Sequence, residues 1–216
     1  GYTVPERAGE LARYRLSQTV VDREHAVRLN ACGKPIHVHI KVDTGMHRMG
    51  EPWDHVSEIA SIFGLKNLYV DGIYTHLSVS DSMEPEDAQF TEMQIDRFYH
   101  LLETLREQNV TLPKVHVQSS YGLLNYPELK CDYARVGIAL YGTLSSPHDQ
   151  TRLHLDIKNV LSLKARVSLV RTVTAGESVG YGRHFIAERD TCVAILPIGY
   201  GDGIPRNLSG GRGSVL

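Results

Sequence analysis

Cysteine is scarce in this chain. Cys32, Cys131 and Cys192 are the only three, an odd number, widely separated and without a CxxC pair. That excludes a dense disulfide framework and favours reduced thiols in a cytoplasmic compartment. No run of about 18 apolar residues occurs, so no membrane span is expected within the segment. No signal peptide opens it, although a membrane anchor upstream stays open. Neither sign of charge is in excess: the formal net charge is −2, which gives no bulk electrostatic case for nucleic acid or an anionic membrane surface. No Gly-rich phosphate loop follows any of the strand-like stretches.

What is present is an ordinary globular composition. The 216 residues are 42% hydrophobic and 22% charged, enough for one good core or for one domain plus part of another. The 11 histidines are more than chance usually gives. Two of them lie in IHVHIKVDTGMHRMG, residues 36–50. Ile36, Val38, Ile40 and Val42 fall on one face of this strand; His37, His39 and Lys41 fall on the other. A strand buried on both faces would carry apolar residues throughout.

Strand-like and helix-like stretches alternate through the first two thirds. Helices are expected over 5–14, 23–32, 53–63 and 86–107, with a short one over 121–126. Strands are expected over 16–21, 36–42, 68–75, 114–118 and 133–140. In the long helix, Phe90, Met93, Arg97, Phe98, Leu101, Leu102 and Leu105 track one face. Repeated strand–helix units without a phosphate loop point to a (β/α)8 barrel, of which only five strands are found. The stretch SSPHDQTR then reads as a linker. Beyond it, LSLKARVSLVRTVTAGESVGYGRHF and DTCVAILPIGYGDG alternate between Gly-rich turns, the pattern of antiparallel sheet. The expected fold class is therefore α/β: a partial TIM barrel over 1–145, followed by the start of an antiparallel β-domain over 146–216. The chain ends at GSVL in mid-element, and an internal fragment of a larger protein is expected.

In a parallel barrel the functional groups sit at the C-terminal strand ends. Here those ends carry Lys41 with Arg48 beyond it, His76, Ser119 and Ser120, and Arg135. These types suit anion handling. Hydroxyls before a helix N-terminus fit a phosphate, an arginine fits an anion or a ring nitrogen, and His76 could stack on a flat ring or move protons. A metal-dependent hydrolase is a second reading, since HxH on a barrel strand with a lysine nearby suits a metal pair. Arg135 stands where that site would need an acidic ligand, so no metal site is assigned.

KVDTGMHRMG, GIYTHLSVSD, VHVQSSYGLL, YARVGIALYG, SVGYGRHF and LPIGYGDGIPR, in this order, resemble motifs of the bacterial alanine racemases. RLSQTVVD and TGMHRMGE are most similar to the racemase domain of membrane-anchored serine/alanine racemases of the vancomycin-resistance type. The resemblance implies a pyridoxal-phosphate barrel, a C-terminal β-domain, an amino-acid substrate and a head-to-tail homodimer with shared sites. It implies that Tyr181 is the catalytic tyrosine, serving the other subunit, and that Arg135 donates to the cofactor's pyridine nitrogen. His76 would link Arg135 to the tyrosine. Ser120 and the backbone of Gly137 and Ile138 would hold the phosphate. Arg48 would approach the substrate carboxylate, positioned by a carbamylated Lys41, and Tyr200 and Asp81 would line the way to the substrate. His37 and His39 receive no role beyond packing. The lysine that holds the cofactor in this family belongs to a first-strand motif that the chain lacks, so the segment alone is expected to be inactive. A non-catalytic pyridoxal-phosphate carrier is the alternative with the same barrel, but such carriers resemble a lone barrel without the β-domain.

Overall fold

A computed structural model describes residues 1–146 and 148–215. Pro147, inside the linker-like stretch, and Leu216, the last residue of GSVL, lie outside the described residues. Two compact units are present, Gly1–Val160 and Leu161–Leu216.

The first unit is built on a parallel sheet. Its strands are β1 (Gln18–Val20), β2 (Ile36–Asp43), β4 (Leu68–Tyr74) and β5 (Lys114–His116), in the order β1-β2-β4-β5, with the two-residue β3 (Glu51–Pro52) beside the end of β2. The intervening helices are α1 (Ala8–Arg13), α2 (Arg23–Asn30), α3 (Val56–Phe63) and α4 (Pro85–Glu107), with α5 (Ser120–Asn125) after β5. Alternation along β2 works as the sequence implies: Ile36, Val38, Ile40 and Val42 are all buried in the core beside Leu29, Ile59, Ile62, Phe98 and Leu101. α2 starts where it does because the Asp22 carboxylate accepts the His25 N–H and the Glu51 carboxylate accepts the Arg23 N–H, satisfying two otherwise orphaned donors.

Several sequence-based expectations need correction. Trp53 is not helical. Its N–H donates to the Asp43 carbonyl, extending the β2–β3 pairing, and α3 begins only at Val56. Residues 133–140 are not a strand. The chain bonds to β5 at Asp132 N–H to Val115 O and then, past the end of β5, at Arg135 N–H to Gln118 O, a spacing of three where a parallel ladder needs two. It then closes into a 3-10 turn over Ile138–Tyr141. The inward face of α4 is rotated from the expected one: Thr91 and Gln94 are buried along with Phe98, Leu101, Leu102 and Leu105, while Phe90 is exposed. Residues 145–160 also fold onto the first unit, through Ser145 N–H to the Tyr121 hydroxyl, Arg152 N–H to Asn125 Oδ1 and Leu153 N–H to Leu124 O.

The second unit contains two antiparallel pairs. β6 (Leu169–Val173) pairs β9 (Thr191–Ile195), and β7 (Ser178–Val179) pairs β8 (Phe185–Ile186). The expected strand from Leu161 begins only at Leu169. Its partner β9 ends at Ile195, and Pro197 just beyond cannot extend the ladder.

Candidate active site

The C-terminal ends of β2, β4 and β5 bring Lys41, His76, Ser120 and Arg135 to one edge of the sheet in the first unit. Arg135 is the hub. Its Nη1 donates to His116 Nδ1 at 2.7 Å, and its Nη2 reaches the Thr75 carbonyl at 2.7 Å, the Val117 carbonyl at 2.9 Å and His76 Nδ1 at 3.1 Å. Tyr74 lies under the guanidinium, 4.8 Å from ring centroid to Cζ, and stacks on His116 at 4.6 Å. The Nε–H of Arg135 has no partner among the described residues.

These bonds determine the tautomers. His116 Nδ1 accepts, so a neutral His116 carries its proton on Nε2 and donates it to His39 Nδ1 at 2.8 Å. His76 Nδ1 also accepts, so its Nε2–H is a donor. Burial first, then the positive charge of Arg135, push His116 down to about 3. The same causes, with Arg48 and Lys41 added, push His76 down to about 4. Both rings are therefore neutral near neutrality, and Arg135 is held by neutral acceptors. This corrects the reading of the β2 histidines. His39 is the outer member of a His39–His116–Arg135 chain. His37 is exposed and pairs with Asp71 at 2.7 Å.

Lys41 is buried. Burial is the main cause that lowers it to about 8, with the cations Arg135 and Arg48 adding to the effect. Its amine donates to the Val42 carbonyl at 2.6 Å. Arg48 is exposed in the following loop and makes no hydrogen bond to it. As two cations they repel, so an unmodified Lys41 does not hold Arg48 in place.

Ser120 is buried at the start of α5. Its Oγ accepts the Gly137 N–H at 2.9 Å and the Ala139 N–H at 3.3 Å, which leaves its own hydroxyl proton free to donate. A Cβ on Gly137 would meet nothing within 4 Å, so the space over this turn is open. Ile138 is the first residue of the 3-10 turn, and the turn does not use its N–H. Asp81 is exposed in the loop after β4. In the second unit, Tyr181 is 85% exposed in a 3-10 turn between Gly180 and Gly182, both at positive φ. Tyr200 opens another 3-10 turn and packs under Arg206.

Sequence reasoning missed His116, Tyr74, Thr75 and Gln94. For His116 the signal was available: VHVQ repeats the apolar–polar alternation of IHVHIK. Among the described residues no three His, Cys, Asp or Glu side chains converge as metal ligands. The HxH histidines of the hydrolase reading diverge, His37 to Asp71 and His39 to His116.

Residues 1–145 match the family described as "Alanine racemase, N-terminal domain", and residues 160–216 match "Alanine racemase, C-terminal domain". An amino-acid racemase of Enterococcus faecalis is 46% identical over 216 residues, covering 100% of this chain and 30% of that protein. A serine/alanine racemase of Enterococcus gallinarum is 41% identical over 209 residues, covering 97% of this chain and again 30% of the relative. Among solved structures, the alanine racemase from Bacillus anthracis with bound L-Ala-P superposes with a TM-score of 0.83 at 26% identity, over 97% of this chain and 55% of that one. This chain therefore spans about a third to a half of the length of the relatives it matches, and it belongs to the alanine racemase family.

Proposed function

We propose that the protein carrying this chain is an amino-acid racemase that interconverts L- and D-alanine, or L- and D-serine, to supply D-amino acids for peptidoglycan. The observation that carries this reading is Arg135: a guanidinium held by four neutral acceptors, with an unclaimed Nε–H at the strand-end edge. The family is pyridoxal-phosphate dependent, and the donor set fits that cofactor. Arg135 offers a donor for a ring nitrogen. Ser120 Oγ–H and the backbone at Gly137 and Ile138 offer donors for a phosphate beside open space. When bound, pyridoxal phosphate supplies the electron-withdrawing ring that acidifies the substrate α-proton.

The chain's own residues then have distinct tasks. An always-charged arginine facing the ring nitrogen keeps that nitrogen from binding a proton, which tempers electron withdrawal and disfavours side reactions. Tyr181 is assigned the proton transfer on one face of the substrate. Proton transfer by a phenol near neutrality needs its phenolate stabilised, and the Nε2–H of His76 is a donor that would do so. Lys41, with its amine lowered to about 8, has a substantial neutral fraction near pH 7.5. A neutral amine can take up carbon dioxide, and the resulting carbamate would reverse the repulsion of Arg48, which we assign to the substrate carboxylate. Asp81 and Tyr200 are assigned to the approach to the substrate. We place the cofactor-holding barrel in residues 1–145 and the β-domain in 146–216 after a connecting stretch that packs on the first unit up to Val160, and infer a homodimer in which Tyr181 serves the partner's barrel, in the cytoplasm. The three unpaired cysteines support that location.

The test is chiral chromatography of L-alanine and L-serine incubated, in separate reactions, with pyridoxal phosphate and the protein as its gene encodes it. One D-enantiomer should accumulate to equal amounts with its L-form. No D-isomer from either substrate would overturn the proposal.

A further inference from the structure

The N-terminal half of α4 buries the wrong residues for a simple amphipathic helix. Gln94 is fully enclosed while Phe90, one turn earlier, is exposed. A local rule broken in this way marks a position with another task. The Gln94 amide is also completely used. Its Oε1 accepts the Ser78 N–H and the Ser78 hydroxyl, both at 3.0 Å. Its Nε2 donates to Thr44 Oγ1 and to the His76 carbonyl, both at 3.3 Å. The flipped amide would set two donors against the Ser78 N–H, so the orientation is unique.

From Gln94 the hydrogen bonds run in one direction. Thr75 Oγ1 donates to the Val42 carbonyl at 3.0 Å. Thr44 must then donate to Thr75 Oγ1, 2.8 Å away, and accept from Gln94. Thr44 and Thr75 are both fully buried. Thr44 follows β2, and Thr75, His76 and Ser78 follow β4, so one helix side chain ties two neighbouring strand ends together. On its other side the same Thr75–His76 segment is gripped by Arg135, at the Thr75 carbonyl and at His76 Nδ1.

We propose that Gln94 is a positioning residue of the active site: its amide clamps the Thr44 and His76–Ser78 loops and so sets the angle at which the His76 imidazole meets Arg135. The inference rests on the racemase reading for its catalytic consequence, but not for its geometric one. Gln94 is fully buried with its amide taken up by protein groups, so no contact with substrate or cofactor is assigned to it. It acts through His76.

Two variants test this in the protein as its gene encodes it. Gln94→Met removes both halves of the clamp at similar volume. Gln94→Glu keeps the shape and the acceptor half but exchanges the donor for an oxygen that faces the His76 carbonyl. Each should lower kcat roughly ten- to a hundredfold, the scale of a small misplacement, with KM changed by less than about threefold. Amide exchange over residues 75–79 should quicken in ligand-free protein. Gln94→Glu should also show a pH profile that the wild type lacks. Protonated, its carboxyl can donate once to the His76 carbonyl or to Thr44, and activity should partly return on the acid side. Of the titratable groups near this rim, Arg97, Arg135, Arg48 and Lys41 stay cationic on the acid side, whereas Asp43, His76 and His116 titrate there in wild type and variant alike, so a limb present only in Gln94→Glu belongs to the new carboxyl. Folded variants with wild-type kcat and wild-type exchange would overturn the proposal. If Gln94→Met does not fold, Gln94→Glu decides alone. A Gln94→Glu protein unfolded at every pH would also overturn it, because Gln94 would then hold the fold and not the rim. If the wild type does not racemise, the racemase reading fails while amide exchange still decides the clamp.

Discussion

Replacing Gly72 by alanine places a methyl group inside the ring of His39. A Cβ at this position would lie 2.3 Å from His39 Nδ1 and 2.5 Å from Cε1, against an ordinary contact of about 3.5 Å. Gly72 and His39 are directly paired between β4 and β2, so neither backbone can yield without breaking the sheet. The imidazole must swing by roughly 1 Å or more, and the Nδ1 that moves is the one accepting from His116 at 2.8 Å. Overpacking costs about 1–3 kcal/mol, and a lost buried hydrogen bond about another 1–3 kcal/mol. The expected destabilisation is therefore about 2–6 kcal/mol by denaturant unfolding. Removing the ring should relieve the clash, so His39→Ala should cost much less in the Gly72→Ala background than in the wild type. A double-mutant cycle reads this coupling directly. A Gly72→Ala protein within about 0.5 kcal/mol of wild type, or strict additivity with His39→Ala, would refute the tautomer chain built on His39 and His116.

Three further outcomes are expected. Lys41 sits at about 8 against an ordinary 10.5, so the unfolded chain holds a proton that the fold releases across this window, and stability rises with pH from about 8 to 10.5. In bicarbonate-free buffer Lys41→Met should accordingly stabilise by up to about 3 kcal/mol at pH 7 and by almost nothing above pH 10.5, and a gain independent of pH would contradict the buried charge. His76 and His116, at about 4 and 3 against 6.5, bind protons only when unfolded over the interval between. Stability should therefore fall as pH drops below 6.5, less steeply in His116→Gln, and identical profiles would remove His116 from the account. Co-expressing Arg135→Glu with Tyr181→Phe should restore activity above either alone, towards the roughly one quarter of sites that two-fold symmetry leaves intact, whereas no rescue in confirmed mixed dimers would place Tyr181 on its own barrel.

Much of the fold was legible because its periodicities are strong. The alternation in 36–42 and the apolar run of α4 from Phe98 onward announce a buried strand and a core helix. The failures share a physical cause. Residues 133–140 carry strand-forming types, but after Asp132 the next bond beside β5 comes three residues on, which breaks the two-residue period of a strand, and no local preference encodes such a break. The start of α4 misled because Gln94 is buried for its hydrogen bonds, which a hydropathy pattern counts against burial. For the site, Lys41, His76 and Ser120 stood out as polar residues ending apolar strands, and Arg135 as a charge inside an apolar stretch. His116 and Thr75 did not, since their partners are distant in the sequence and only the parallel pairing of β2, β4 and β5 brings them together. The β-domain residues Tyr181 and Tyr200 have no local signal beyond their Gly-rich turns. Motif resemblance alone singled them out.

Racemisation requires the α-proton to leave and return, and solvent deuterium reports this directly. The protein as its gene encodes it, supplied with pyridoxal phosphate, should be incubated in deuterium oxide with L-alanine and, in a separate reaction, with L-serine, and the recovered amino acid analysed for both Cα label and configuration. Deuterium is expected at Cα of the D-product of one of them, with label uptake at least about tenfold slower in Arg135→Glu, whose carboxylate cannot donate to the His76 and His116 rings and the Thr75 and Val117 carbonyls that the guanidinium holds in place. Full retention of the α-hydrogen in both amino acids, or label uptake that Arg135→Glu leaves unchanged, would contradict this expectation.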